Sequence, residues 1–117
     1  MNILILDDDP DALELLSSAL TGLGHRTQAF LRSAGLLAAL MTGRADVVVC
    51  DFRLARVDGD GFAVLQRVRE LAPAARRVLV SADVDAARLA LALGAKLVHA
   101  FVAKPCAEPA LQQALGG

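Results

Sequence analysis

Five short apolar runs, each closed on its carboxyl side by a polar or charged residue and followed by a stretch of helical spacing, constrain this chain more than any other feature. Asn2 to Leu6 is too short for a free-standing helix and runs straight into acid, which predicts a buried strand. Pro10 to Leu23 carries Leu13, Leu16, Leu20 and Leu23 at spacings of three and four, with Asp11, Glu14, Ser17, Ser18 and Thr21 on other faces. That is an amphipathic helix, stopped by Gly22 and Gly24. Gln28 to Leu31 reads as a weaker strand, and Leu36 to Met41 sits in a helix ending near Gly43. Asp46 to Asp51, with Val47, Val48, Val49 and Cys50 between them, is the clearest buried strand. An Asp- and Gly-rich loop follows, then a helix through Phe62, Leu65, Val68 and Leu71 that Pro73 halts. Arg77 to Val80 is the fourth strand, Asp85 to Ala95 the fourth helix, Ala100 to Ala103 the fifth strand, and roughly Glu108 to Leu115 the last helix.

Strands that alternate with helices in this way call for a parallel sheet covered on both faces, hence an α/β fold. The chain has 117 residues, 56% of them hydrophobic, and no linker, repeat or low-complexity segment, so residues 1–117 read as one domain with a well-filled core. The short last helix before Gly116-Gly117 suggests a domain taken from a longer protein. Twelve basic against thirteen acidic residues leave a net charge of -1. That balance offers no general grip on nucleic acid or anionic lipid, and 3% aromatics, all Phe, offer no base-stacking surface. No direct nucleic-acid partner is expected. The longest apolar stretch, Leu89 to Ala103, is broken by Gly94, Lys96 and His99, so no membrane span is expected. Cys50 and Cys106 form neither a CxxC nor a metal-finger spacing, and the N-terminus lacks a signal peptide's basic head. A reduced, cytoplasmic location is the expectation.

The charged residues fall in one place. Asp7, Asp8 and Asp9 follow the first strand, Asp51 closes the third, Ser81 ends the fourth, and Lys104-Pro105 ends the fifth. Carboxyl ends of parallel strands share one edge, where ligands of open α/β sheets bind at the point of order reversal. With strand order 2-1-3-4-5, Asp7, Asp8 and Asp51 converge. Three carboxylates in one pocket repel, and a hard divalent cation such as Mg²⁺ relieves them. Lys104 can pair with Asp51 at rest and with a phosphoryl group afterwards, and Ser81 offers a hydroxyl at the same rim. An aspartate beside Mg²⁺, Lys and Ser is equipped to accept a phosphoryl group. Plainer roles fit other residues: Asp9 and Asp11 belong to a helix start, Asp58 and Asp60 to a turn and helix start, and Cys50 to the core. His25 and His99 read as surface or strand histidines. Taken alone, Ser81 or Lys104 would be an ordinary loop residue; their placement at consecutive strand ends singles them out.

Ile3 to Pro10, Val47 to Asp51 with Asp58-Gly59 beyond, Val80-Ser81-Ala82, and Phe101 to Pro105 stand in an order and spacing that resembles, over nearly the whole length, the receiver domain of two-component response regulators. The Asp51-Phe52-Arg53-Leu54 run has a weaker resemblance to receivers attached to hybrid sensor kinases. The resemblance implies a flavodoxin-like doubly wound (βα)5 sandwich, with a five-stranded parallel sheet of order 2-1-3-4-5. It implies phosphorylation of Asp51 by a partner histidine kinase or histidine phosphotransfer domain. Asp8 and Asp51 would ligate Mg²⁺ (or Mn²⁺ in its place) directly, Asp7 mainly through water, and the Arg53 backbone carbonyl would complete the protein ligands. Lys104 would hold a phosphoryl oxygen, Ser81 would move toward the phosphate, and Phe101 would turn inward as the aromatic switch. Such a domain is a phospho-acceptor rather than a turnover enzyme, although it helps catalyse its own phosphorylation and dephosphorylation.

Several positions depart from the family pattern. Ala55 stands where proline is usual, Phe101 where tyrosine is commoner, and the stretch Gly94 to His99 displaces the Gly-Ala pair expected before the last strand. Arg53 and Asp83, each two residues beyond a matched position, are placed to form a salt bridge over the mouth of the site and slow attack by water. The stretch from Ala86 to Lys96, which carries the fourth helix, is polar only at Arg88 and Lys96. Its surplus apolar surface fits an output partner or a homodimer on the face of helix 4, strand 5 and helix 5, or equally an alanine-rich helix with tolerable exposure. Two other functions compete. A haloacid-dehalogenase-like phosphatase would want an acid where Arg53 stands. A pseudo-receiver would keep the fold as a phosphorylation-independent binding module.

Overall fold

Alternate residues of the central strands belong to two different cores. Along β1 (Asn2–Leu6), Ile3 and Ile5 pack to one side and Leu4 and Leu6 to the other; along β3 (Val47–Asp51), Val47 and Val49 oppose Val48 and Cys50. A strand buried on both faces has no solvent side for polar residues, which is why these segments read as unbroken apolar runs. With β2 (Arg26–Phe30), β4 (Arg76–Ser81) and β5 (Ala100–Ala103) they form one parallel sheet in the order β2-β1-β3-β4-β5. The expected doubly wound, flavodoxin-like fold is the one observed. The structure is a computed structural model that describes residues 1–54 and 59–116.

Five helices cover the sheet: α1 (Pro10–Gly22), α2 (Ser33–Thr42), α3 (Gly61–Leu71), α4 (Ala86–Gly94) and α5 (Glu108–Ala114). Leu13, Leu16 and Leu20 of α1 share one core with Leu111 and Ala114 of α5. Leu36, Leu37 and Leu40 of α2, Phe62, Leu65 and Val68 of α3, and Ala92 of α4 fill the other. Three helices start on an aspartate. Asp9 accepts from the Asp11 N–H at 3.0 Å with Pro10 at the first helical position, Asp60 accepts from Ala63 N–H at 3.0 Å, and Asp85 accepts from Ala87 and Arg88. Asp58 and Ala55 lie outside the described residues.

Two segments differ from the sequence expectation. β2 spans Arg26–Phe30 rather than Gln28 to Leu31. It is an edge strand whose Arg26, Thr27 and Gln28 carry no apolar signal, yet Gly24, at φ 96°, turns the chain so that Arg26 N–H reaches Met1 O at 3.0 Å. Leu31, apolar in sequence, is exposed beyond the strand end.

The stretch after α4 is held by an unforeseen group. Lys96 takes a left-handed conformation at φ 59°, and Leu97 N–H closes the helix end on Ala92 O at 2.9 Å. Buried Arg77 then donates to the carbonyls of Leu97, Ala75 and Lys96 at 2.8, 2.9 and 2.9 Å and to Pro73 at 3.3 Å. His99 is not a plain strand histidine: its Nδ1 accepts the Arg77 backbone N–H at 2.8 Å.

Candidate functional site

Strand register brings the site together. Leu6 is paired with Cys50, so Asp7 and Asp51 occupy the next rung of neighbouring strands; Asp51 is paired with Val80, and Ser81 with Ala103, just before Lys104. All of them lie at one edge of the sheet, and the order reverses beside β1. Asp7, Asp8 and Asp51 each bring a carboxylate oxygen within 4.8 Å of the others. Asp7 and Asp51 are buried, whereas Asp8 is exposed.

Lys104, joined to Pro105 by a cis peptide bond, reaches back into this cluster. Its Nζ lies 2.7 Å from Asp7 Oδ2 and 3.1 Å from Asp51 Oδ1. The sequence assigned Lys104 to Asp51; the structure adds Asp7 as the nearer partner. Asp7 also accepts the Asp9 N–H at 3.0 Å, which locks its orientation. Burial pushes the Asp51 carboxyl above its ordinary value, and the charges of Asp7 and Asp8 add to that, against the opposing hydrogen bond from Lys104. Burial alone would pull Lys104 down, but its hydrogen bonds and charge contacts with Asp7 and Asp51 outweigh it and hold the ammonium above its usual range.

The donor set suits a hard cation. Three carboxylates face one ammonium, so the cluster keeps excess negative charge, and all three offer oxygen, the donor that Mg²⁺ and Mn²⁺ favour.

Ser81 is buried beside this cluster with its hydroxyl turned into its own loop: it donates to the Asp83 carbonyl and accepts the Asp83 N–H at 3.2 Å. Arg53 and Asp83 form the bidentate pair that their spacing suggested, at 2.5 Å from Nε and 3.1 Å from the second nitrogen. Both side chains are about two-thirds exposed, at 69% and 66%. Arg53 holds the Asp83 carboxyl below its usual range. Phe101 is half-buried in β5, in register with Leu79 and packed against the core of α2, α3 and α4.

Sequence reasoning passed over three residues. Gly61 opens α3 directly against the end of β3: a Cβ there would lie 2.5 Å from Asp51 O and 2.9 Å from Phe52 Cα. Asp60, assigned only to a helix start, also pairs with Arg88 of α4 at 2.7 Å, and Arg88 stacks over Phe62 at 4.8 Å. A glycine directly after a capping aspartate is a weak sign of close approach, and nothing local in the sequence points from residue 60 to residue 88.

Comparison with known proteins agrees with this geometry. Residues 3–116 match the family model of the response regulator receiver domain. The chain is 31% identical over 115 residues to the transcriptional regulatory protein GlrR of Escherichia coli K12, covering 97% of this chain and 25% of that protein. It is 34% identical over 93 residues to the DNA-binding transcriptional regulator NtrC of Klebsiella pneumoniae, covering 78% and 19%. The chain thus spans about a quarter or less of the length of these curated relatives. In fold it is similar to a CheY-like receiver domain protein from Methanospirillum hungatei JF-1, with a TM-score of 0.86 at 22% identity, covering 98% of this chain and 90% of that one. The signal receiver domain of an HD domain-containing protein from Pseudomonas fluorescens Pf-5 gives the same TM-score of 0.86 at 24% identity, again covering 98% and 90%. The strand-end cluster, the sheet order and these matches together make this chain a member of the response regulator receiver domains, the signalling domains of two-component systems.

Proposed function

We propose that this receiver domain, taken as one unit over residues 1–117, accepts a phosphoryl group on Asp51 in a Mg²⁺-dependent reaction. The donor is a phosphohistidine of a partner histidine kinase or phosphotransfer domain. The observation that carries this reading is Lys104 Nζ within hydrogen-bond reach of two buried carboxylates, Asp7 and Asp51. A carboxylate oxygen of Asp51 attacks phosphorus, the phosphorus–nitrogen bond breaks, and the departing imidazole keeps the electron pair and takes up a proton. When bound, Mg²⁺ supplies neutralisation of the charge gathered on the phosphoryl oxygens; Asp8 and Asp51 would hold it directly, Asp7 mainly through water, with the Arg53 carbonyl completing the set. Lys104 exchanges its contact with Asp51 for a phosphoryl oxygen. Ser81 leaves the Asp83 carbonyl for another, and Phe101 turns inward into the space this opens.

The domain is a phospho-acceptor with chemistry on itself and not a turnover enzyme. Its output passes through the face of α4, β5 and α5, where Leu91 and Leu93 are exposed, to an attached or separate partner or to a second copy of the chain. The named relatives regulate transcription, and this chain's part in such a system is to receive the signal in the cytoplasm rather than to touch nucleic acid. Among the described residues no helix is long and apolar enough to cross a membrane.

Intact mass after incubation with acetyl phosphate, with and without Mg²⁺, tests the reading. One Mg²⁺-dependent, base-labile adduct, absent in Asp51→Asn, is expected; no adduct on the folded protein would favour the pseudo-receiver. The same adduct followed in time tests Arg53 as a cover against water. Arg53→Ala should shorten its lifetime several-fold, and an unchanged lifetime would remove Arg53 from that role.

A further inference from the structure

We infer that Arg88 restrains phosphoryl transfer through its hold on α4: it is a strap that keeps α4 against the neck of the acceptor loop in the unmodified protein. Its effect on transfer rests on the reading above, while its effect on α4 does not. The first observation is how little else holds α4. Of Ala86–Gly94 only Ala92 is buried, only Leu89 packs half-buried against the same core, and Leu91 is 74% exposed. What α4 lacks in apolar anchorage Arg88 supplies. Its guanidinium pairs with Asp60 Oδ2 at 2.7 Å and lies 4.8 Å from the centre of the Phe62 ring and 5.7 Å from that of Phe52. The two rings meet edge to face at 5.3 Å, so the strap lands on a packed pair.

The second observation is where the strap lands. Asp60 is the N-cap of α3 and pairs with Arg53 in an antiparallel bridge, and Gly61 N–H donates to Phe52 O at 2.7 Å. Phe52 follows Asp51 directly, and Gly61 packs on the Asp51 carbonyl. A pull on Asp60 or Phe52 is therefore applied to the backbone that carries the acceptor.

A second ion pair completes the device. Arg53, on the other side of the neck, holds Asp83, whose carbonyl in turn holds the Ser81 hydroxyl. The connection between β4 and α4, and the first turn of α4, are tied to the same neck with opposite polarity: Arg53 to Asp83, and Asp60 to Arg88. Both guanidiniums flank Phe52, at 5.9 and 5.7 Å. Negative charge added at Asp51 competes for Arg53, which frees Asp83 and with it Ser81. Arg88 then remains as the contact opposing release. Both ion pairs are partly exposed, so each is weak enough to exchange. Because the strap favours the unmodified state, removing it favours the modified one by the same factor.

Amide hydrogen exchange of α4 in the unphosphorylated protein, with the initial rate of phosphorylation by acetyl phosphate, tests the strap. Arg88→Gln should speed α4 exchange and raise the phosphorylation rate, each about three- to five-fold, the size an exposed ion pair with a ring contact can supply. Exchange in α3 should not change. Arg88→Lys, which keeps the charge but not the planar stack, should fall between wild type and Arg88→Gln. Asp60→Asn, which keeps the cap and loses the charge, should reproduce the gain. Unchanged α4 exchange in both Arg88→Gln and Asp60→Asn, or a phosphorylation rate that falls, would overturn the inference, since general loss of structure lowers the rate. If wild type takes no adduct, the phospho-acceptor reading fails, and α4 exchange in Asp51→Asn with and without Arg88→Gln still decides whether the strap exists.

Discussion

Helices α3 and α4 cover the same face of the sheet, and each follows a strand that ends in a site residue, Asp51 or Ser81. They are held there by different forces. α3 buries Gly61, Phe62, Val64, Leu65 and Val68, and its first residue lies against the Asp51 backbone. α4 buries Ala92, lays Leu89 half-buried against the same core, and adds the Arg88 guanidinium as its ion-pair contact. Apolar contacts are lost together and only by partial unfolding, whereas a half-exposed ion pair can exchange partners singly. The strand end that carries Asp51 is thus backed by the rigidly seated helix, and the segment proposed to respond to it is held in part by an exchangeable contact.

The comparison is broken most directly by truncating one leucine on each helix. Leu65→Ala, at a fully buried α3 position, should cost about 3 kcal/mol in urea unfolding. Leu91→Ala on the exposed side of α4 should stay within about 0.5 kcal/mol. Equal losses would mean that α4 is seated as firmly as α3.

A smaller effect sharpens the description of the end of α4. Lys96 sits at φ 59°, where a side chain strains the backbone, and it serves Arg77 through its carbonyl. Lys96→Gly should therefore raise stability by about 0.5–1 kcal/mol, with no change in phosphorylation. A loss would show that the lysine side chain contributes something the backbone does not.

The smallest effect is a pH dependence from the segment after α4. Burial, with Arg77, Arg76, Lys96 and Arg69 nearby, holds the His99 imidazole below its ordinary value. The neutral ring is the form that accepts the Arg77 N–H. A folded value below the unfolded one contributes stability that is complete above the unfolded value of about 6.5 and lost as pH falls. Urea midpoints should therefore drop between about pH 7 and 5. His99→Asn, whose amide oxygen can accept the same N–H, should flatten that part of the slope; an identical slope would clear His99 of responsibility.

The elements were legible wherever burial left an unambiguous pattern. Val47 to Cys50 could be nothing but an interior strand, and Asp9-Pro10 marked a helix start that the structure keeps. β2 was misplaced because an edge strand needs no apolar run. Asp7, Asp8, Asp51, Ser81 and Lys104 could be gathered from sequence because strand ends in a parallel sheet lie along one edge. Arg88 could not, since its partners Asp60, Phe62 and Phe52 are distant in sequence and the contact depends on how α4 crosses the face. Arg77 was hidden for a related reason: a cation in a strand announces exposure, and only the fold supplies the carbonyls that let it be buried.

What the sequence determined by itself was the alternation of strand and helix and the residues that stand at each strand's carboxyl end, because both follow from local spacing and burial. The tertiary structure decided which of those residues touch. It put Lys104 nearer Asp7 than Asp51, turned the Ser81 hydroxyl to Asp83, and joined Arg88 of α4 to Asp60 at the start of α3. Such choices turn on differences of a few tenths of an ångström and on charges brought together from separate elements, which no local pattern encodes.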